Sequence, residues 1–117
     1  MTLIKQENNL IDPLTNLVKS VAEVTPTLVA PYADIWSSLL FEALPEHTMH
    51  LVCVILTYLT QSKQACFIML QQQKHMSIIE AAYWLMASEE TGNAQKGLKM
   101  FKDLITNCQE QILNYKG

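Results

Sequence analysis

The sequence predicts an all-α protein that forms a single helical domain over residues 1–117. Three observations favour this class. Apolar side chains recur at spacings of three and four residues along much of the chain, as they do on one face of an α-helix. No segment alternates apolar and polar residues between hairpin turns, which is the pattern of strands. All three glycines follow residue 91, so most of the chain lacks the residue that favours tight turns.

The N-terminal third is predicted to contain short helices. Residues 1–11 are polar and are expected to be flexible. The Asp-Pro pair that ends at Pro13 is a helix-start signal, because aspartate caps a helix and proline suits its first position. This first helix is expected to end near Glu23. A second helix is expected to start near Pro31 and to end before Pro45, since proline disfavours helical geometry in the residue before it.

A third helix is predicted to run without interruption from about Glu46 to Lys74. The segment contains no glycine and no proline. A helix of that length would extend for about 40 Å at a rise of 1.5 Å per residue. Such a length favours packing along a partner helix over packing within a compact bundle.

A further helix is predicted to follow after a short connection. Ser77 and Glu80 have the spacing of a capping box, in which each side chain accepts a hydrogen bond from the other residue's amide, so this helix is expected to start at Ile78. Gly92 could end this helix or lie within it. A glycine inside a helix costs about 1 kcal/mol relative to alanine, which is too little to distinguish the two cases. Whether residues 78–115 form one continuous helix therefore stays open.

The last segment carries the clearest helical stripe in the chain. Its apolar members lie four, three and four residues apart and are Phe101, Ile105, Cys108 and Ile112, with Leu98 and Tyr115 extending it. This spacing is typical of a coiled-coil seam. Together with the long third helix, it predicts two long antiparallel helical arms joined near His75 and Met76, a hairpin of coiled-coil character.

Composition and charge argue against several classes of protein. The net charge is −3 and the chain contains no arginine, the usual reader of phosphates and guanine edges, so nucleic-acid binding is not expected. The N-terminus has no secretory signal, and no apolar run reaches the roughly 20 residues that cross a bilayer. Cys53, Cys66 and Cys108 have no metal-binding spacing and are expected to be buried free thiols in the cytoplasm.

No motif in the chain is typical of a catalytic site, and no enzymatic activity, metal or cofactor is expected. Glu46, His47 and His50 lie close together, and helical bundles build di-metal sites from such residues. No Glu-x-x-His pair occurs, however, and Glu46 suits the first turn of a helix, where it complements the dipole. Cys53 and Cys66 sit among apolar residues rather than in the electropositive surroundings of a reactive thiol.

The chain has more apolar side-chain area than a two-helix hairpin can bury. Half of its residues are apolar and only 16% are charged, against a typical quarter. Homo-oligomerisation or contact with an apolar partner is therefore expected. The residues expected to form the apolar surface or oligomer interface are Leu51, Ile55, Leu59, Leu70, Ile78, Ile79, Tyr83, Trp84, Met86, Leu98, Phe101, Ile105 and Ile112.

Residues 61–111 resemble the phasins, proteins that coat polyhydroxyalkanoate storage granules in bacteria. The resemblance lies in the layout of TQSKQACFIMLQQQK, HMSIIEAAYWLMASEE and TGNAQKGLKMFKDLITNCQEQI, in which a glutamine-containing helix, a second helix and an amphipathic tail follow one another. The content of Trp, Ile and Cys and the proline-containing first half depart from the phasin pattern. The resemblance implies a cytoplasmic, non-catalytic, often oligomeric protein whose amphipathic helices adsorb to granule surfaces.

Two other functions are compatible with the same residues. A small helical adaptor, secretion chaperone or immunity protein would use an apolar groove to hold a partner helix. A helical-bundle metalloenzyme would use Glu46, His47 and His50.

Overall fold

Every regular element in the described backbone is a helix, which confirms the predicted all-α class. The structure is a computed structural model that describes the backbone of residues 2–42 and 44–116 and the side chains of residues 13–42 and 44–109. In chain order its elements are α1 (Thr2–Val24), α2 (Pro26–Val29), a 3₁₀ turn (Ala30–Tyr32), α3 (Ala33–Ser38), a second 3₁₀ turn (Leu39–Phe41), α4 (Glu46–Gln61), α5 (Lys63–Gln71), α6 (His75–Met86) and α7 (Thr91–Lys116).

Helix α1 begins at Thr2, eleven residues before the predicted start. Pro13 lies inside this helix, so the expectation of a helix that starts at Pro13 is wrong. The predicted end near Glu23 agrees with the observed end at Val24. Thr15 and Ala22 are buried on the side of α1 that the fold encloses, and the helix packs against α4.

The single helix predicted between Pro31 and Pro45 is replaced by short helical segments. Pro26 occupies the first position of α2, and Pro31 lies within the first 3₁₀ turn. Because proline has no amide hydrogen, each one interrupts the pattern of helical hydrogen bonds and lets the chain change direction. These short segments still bury Trp36 and Leu40 in the core.

The long third helix starts at Glu46 as predicted but breaks at Ser62. Ser62 has extended backbone geometry (φ −93°, ψ 122°), and its hydroxyl accepts a hydrogen bond from the Ala65 amide at 3.2 Å. It therefore ends α4 and caps α5, and the two helices are bent by 93° relative to each other. The bend points Cys66 and Met69 into the core.

No single helix within the described ranges is long and apolar enough to span a membrane. Helices α4 and α5 taken together have the length and composition of a membrane span, but they are bent by 93° relative to each other.

Helix α5 ends in a Schellman motif whose central residue is Gln73. Gln73 has a positive φ of 58°. The amides of Gln73 and Lys74 donate to the carbonyls of Leu70 and Met69 at 3.2 and 2.7 Å, which is the hydrogen-bond pattern of that motif.

Helix α6 follows directly from that motif. It starts at His75, so Ser77 lies inside its first turn, and the prediction of a capping box that starts a helix at Ile78 is wrong.

Residues 78–115 form two helices rather than one. The break covers residues 87–90, and α7 folds back along α6. Gly97 is buried between them, with the position of its missing Cβ 2.5 Å from the Ala82 carbonyl oxygen. The antiparallel pair of the structure is thus α6 with α7, and the predicted hairpin joined near His75 and Met76 is wrong.

Helices α4 and α7 run parallel to each other through the centre of the fold. The Lys96 Nζ lies 3.0 Å from His50 Nδ1 near their N-terminal ends, and Asn107 Nδ2 donates to the Thr60 carbonyl at 2.6 Å near the C-terminal end of α4. The largest fully buried apolar side chains of the resulting core are Leu40, Ile55, Leu56, Leu59, Met69, Ile78, Leu85, Met100 and Leu104.

Candidate binding surface

The structure divides the predicted apolar surface between the core and the exterior. Ile55, Leu59 and Ile78 are 0% exposed, so they are core residues of the single chain, and their assignment to a surface is wrong. The half-buried members are Leu51, Leu70, Ile79, Met86 and Phe101. The exposed members are Tyr83, Trp84, Leu98 and Ile105. Ile112 lies outside the residues whose side chains are described.

The apolar circumference of α4 is covered by its own chain. Helices α1, α2, α3 and α7 all pack against α4. Between Leu51 and Leu59, each side chain is therefore buried or half-buried, and none is exposed. The segment with the largest apparent excess of apolar area does not need a second molecule to cover it.

Helix α7 turns a different stripe inward from the predicted one. Over residues 91–109, where its side chains are described, the buried positions are Gly97, Met100, Leu104, Asn107 and Cys108. Of the predicted seam, Cys108 is buried and Phe101 is half-buried, whereas Leu98 and Ile105 are 44% and 42% exposed. The inward stripe is displaced by one residue because Gly97 allows α6 to approach closely, and this approach sets the rotation of α7.

The first exposed apolar surface lies on the second 3₁₀ turn and on α6, and we call Phe41, Met76, Tyr83 and Trp84 the aromatic face. The four side chains are between 42% and 69% exposed. The rings of Phe41 and Trp84 meet edge to face with centroids 5.7 Å apart. Met76 and Tyr83 are seven residues apart and so share one side of α6.

An ion pair fixes the two segments that carry the aromatic face. Lys74 Nζ donates to Asp34 Oδ2 at 2.9 Å at the N-terminal end of α3. Phe41 and Trp84 meet at the other end, so the segment that follows Lys74 and the segment that follows Asp34 run side by side in the same direction. The hydrogen bond from Lys74 holds the pKa of Asp34 below its ordinary value, although partial burial opposes that shift.

A second exposed apolar surface lies on α1, and we call Leu14, Leu17, Val21 and Val24 the α1 stripe. Three of the four are exposed, Val24 to 82%, while Val21 is half-buried. Their spacing of three, four and three residues is that of a coiled-coil seam. The buried face of α1, around Thr15 and Ala22, is a different one.

A polar cleft of about 510 Å³ lies where α4 and α7 begin. Its lining includes Glu46, His47, His50, Cys53 and Lys96, so the structure does bring the three residues of the metalloenzyme alternative together. Among the described residues, however, no group of three or more His, Cys, Asp or Glu is placed to hold a metal ion.

The cleft also holds its thiol in an unreactive form. Burial raises the pKa of the Cys53 thiol, although the positive charge of Lys96 opposes the rise. A protonated thiol is a poor nucleophile. The Lys96 ammonium can only donate, so His50 accepts its hydrogen bond through Nδ1. The cleft therefore offers polar contacts but no activated nucleophile at Cys53.

No protein-family model matches the sequence, and no curated protein or solved structure is significantly similar to it.

Proposed function

We propose that the chain is a non-enzymatic, phasin-like protein that adsorbs to hydrophobic polyhydroxyalkanoate granules in the cytoplasm through its aromatic face. One observation carries the proposal: Phe41, Met76, Tyr83 and Trp84 are exposed on the second 3₁₀ turn and the neighbouring helix α6 of a chain whose core is otherwise closed. Tyrosine and tryptophan suit such a role, since each joins a large apolar ring to a polar group that can stay in water.

The energetics of adsorption are favourable for a surface of this size. Fully burying a large apolar side chain contributes about 1.5–3 kcal/mol. The four side chains of the aromatic face are already partly covered by the protein, so each would contribute about half of that value. Several such contributions acting together on one particle surface are enough for stable adsorption.

The closed core supports a mode of adsorption in which the folded chain does not open. Side chains such as Ile55 and Leu59 are fully buried inside the monomer, and exposing them would cost the free energy that their burial contributes. The aromatic face needs no such rearrangement. Adsorption is therefore expected to leave the helical content and the packing of α4 unchanged.

A second candidate function is a helical protein-interaction module, and the α1 stripe favours it. The spacing of Leu14, Leu17, Val21 and Val24 matches the anchors with which one amphipathic helix packs along another. A partner helix, or α1 of a second copy, would cover this stripe. In this alternative, the predicted homo-oligomer or adaptor complex forms through α1 and leaves the aromatic face free.

The test is binding of the purified chain to polyhydroxybutyrate particles and to hydrophilic agarose beads. The variant Met76→Ser/Tyr83→Ser removes two exposed apolar side chains that are seven residues apart on α6. The variant Leu98→Ser/Ile105→Ser removes two exposed apolar side chains that are seven residues apart on α7, and it is the matched control. We expect the α6 variant to lose at least ten-fold in particle affinity and the α7 variant to bind like the wild type.

Three results would contradict the proposal. The proposal of granule adsorption would be excluded if the wild-type protein stayed in solution when particles were present, or if it bound agarose as well as it bound the particles. Equal losses in the two variants would show that the aromatic face has no special role. Loss of a soluble oligomer in Leu14→Ser/Leu17→Ser, measured by sedimentation velocity, without any particle binding by the wild type, would establish the interaction module instead.

A further inference from the structure

Met76 differs from the other sulfur-containing residues of the fold in its exposure. It lies at the start of α6 and is 53% exposed. Within residues 13–42 and 44–109, every other methionine and cysteine is buried or half-buried. The buried ones are Cys53, Cys66, Met69, Met100 and Cys108, and the half-buried ones are Met49 and Met86. A dissolved oxidant therefore reaches Met76 more easily than any of these residues.

The position of Met76 on α6 explains this exposure. Met76 is the second residue of the helix and follows closely on the Schellman motif at Gln73. At 3.6 residues per turn, Met76 and Tyr83 lie on the side of α6 that faces away from its buried residues. Those buried residues are Ile78, Ala81, Ala82 and Leu85. Met76 thus belongs to the aromatic face and not to the core, so a chemical change at its sulfur alters the surface without disturbing the packing.

We propose that Met76 is a reversible oxidation site, and that its conversion to methionine sulfoxide weakens adsorption through the aromatic face. The effect on adsorption rests on the function proposed above. A thioether is apolar, whereas a sulfoxide is polar and accepts hydrogen bonds. The ester groups of a polyhydroxyalkanoate accept hydrogen bonds but cannot donate them. Burying the sulfoxide against this polymer therefore leaves an acceptor without a partner, which opposes adsorption.

Hydrogen peroxide is the co-reactant of the oxidation. A lone pair of the Met76 sulfur attacks one oxygen of the peroxide, an S–O bond forms and the O–O bond breaks. The proton of the sulfur-bound hydroxyl passes to the released hydroxide, which leaves as water. The sulfur loses two electrons and the peroxide gains them. A thiol-dependent methionine sulfoxide reductase reverses the change, because two thiols become a disulfide while the sulfoxide oxygen leaves as water.

The first experiment locates the oxidation in the full folded chain. The chain is treated with hydrogen peroxide and digested with trypsin and glutamyl endopeptidase, which cut after lysine and glutamate. Met76 is then on the peptide 75–80, and Met86 is on the peptide 81–89. We expect the peptide 75–80 to gain one oxygen atom about ten-fold faster than the peptides that carry Met69 and Met100. The circular dichroism spectrum should not change, because Met76 lies outside the core.

The second experiment measures adsorption of the oxidised chain to polyhydroxybutyrate particles. We expect complete oxidation of Met76 to weaken the particle affinity by about ten-fold, and the reductase to restore it. Met76→Leu should have the same affinity before and after peroxide, whatever its starting value, since leucine has no sulfur. Met49→Leu is the matched control, because it removes a half-buried methionine outside the aromatic face. It should lose affinity in peroxide as the wild type does.

Three results would overturn the proposal. One is a folded chain in which peroxide oxidises Met49 or Met86 as fast as Met76. Another is complete oxidation of Met76 that leaves the particle affinity unchanged. The third is a loss of affinity in peroxide that persists in Met76→Leu.

Failure of the proposed function gives a different result. In that case the untreated chain does not adsorb to the particles at all, and the regulatory role of Met76 is excluded with it. The peptide map does not depend on adsorption, so it still decides whether Met76 is the oxidation site.

Discussion

Gly97 of α7 lies so close to α6 that a Cβ there would be 2.5 Å from the carbonyl oxygen of Ala82. The same Cβ would lie 2.8 Å from Leu85 Cβ and 2.9 Å from the Met86 amide nitrogen. Two of these three atoms belong to the backbone and cannot move without displacing the helix. The contact sets the distance between α6 and α7 and the rotation of α7, and therefore decides which of its side chains reach the aqueous surface.

Gly97→Ala is expected to destabilise the protein by about 2 kcal/mol or more, because the added methyl group forces the helices apart. Urea denaturation followed by circular dichroism measures this loss. Gly92→Ala is the matched control, since no atom lies within 4 Å of its Cβ position. Alanine favours a helix, so Gly92→Ala should be neutral or stabilising by up to about 1 kcal/mol. Equal effects of the two substitutions would disprove the close approach at Gly97.

Gln73→Gly is expected to stabilise the protein by about 1 kcal/mol. Gln73 has a φ of 58° at the end of α5, where a Cβ is unfavourable and glycine carries no steric penalty. Gln73→Val should destabilise instead, because a β-branched side chain is the least tolerant of this geometry. Thermal unfolding of the wild type, Gln73→Gly and Gln73→Val gives the order of their stabilities. A wild-type chain more stable than the glycine variant would show that the Gln73 side chain makes a contact that outweighs its backbone strain.

Asn107→Ala is expected to cost about 1–3 kcal/mol, since it removes the stronger of two donors to a buried acceptor, which keeps only the Cys66 thiol at 3.4 Å. The acceptor is the Thr60 carbonyl, one of the last carbonyls of α4, which have no partner within their own helix. Thr106→Ala, at the exposed neighbouring position, is the control and should change the free energy of unfolding by less than about 0.5 kcal/mol. Chemical denaturation gives the free energy of unfolding of both variants. Similar losses in the two variants would show that Asn107 does not have the role assigned to it.

Asp34→Asn is expected to destabilise the protein slightly at neutral pH and not at all in acid. The hydrogen bond from Lys74 lowers the pKa of Asp34 in the folded state. The contribution of the ion pair is therefore fully present above the unfolded pKa of about 4, and it disappears as the pH falls through the lower folded value. The Asp34 and Lys74 side chains are 39% and 29% exposed, so the loss at pH 7 should stay below about 1 kcal/mol.

The control for this ion pair is a double-mutant cycle with Lys74→Met. In the Lys74→Met background, Asp34→Asn should change the unfolding free energy by the same amount at pH 7 and in acid. A pH-dependent difference that persists without Lys74 would assign the shift of Asp34 to another group.

The helical class and several helix ends could be read from the sequence because they depend on local chemistry. Helix α4 starts at Glu46, directly after Pro45, as predicted, and α1 ends at Val24, one residue beyond the predicted end. The break at Ser62 could not be predicted in this way, since residues 60–64 contain no glycine or proline. Ser62 ends α4 because the 93° bend buries Cys66 and Met69, which is a gain only in the folded chain.

The location of the candidate surface was likewise beyond sequence reasoning. The apolar residues of α4 and α6 are all visible in the sequence, but Ile55 and Ile78 are in the core while Tyr83 and Trp84 are outside. In α7, two apolar stripes lie side by side, one through Leu104 and one through Ile105, and either could face inward by periodicity alone.

The amino-acid sequence by itself determined that this chain is helical, that its helices are amphipathic or apolar, and where α1 ends and α4 begins, because these properties arise between residues a few positions apart. The tertiary structure alone decided which apolar faces are covered and where the long helix bends. The physical reason is that burial depends on the approach of segments distant in sequence, and one close contact, Gly97 against Ala82, sets the rotation of an entire helix.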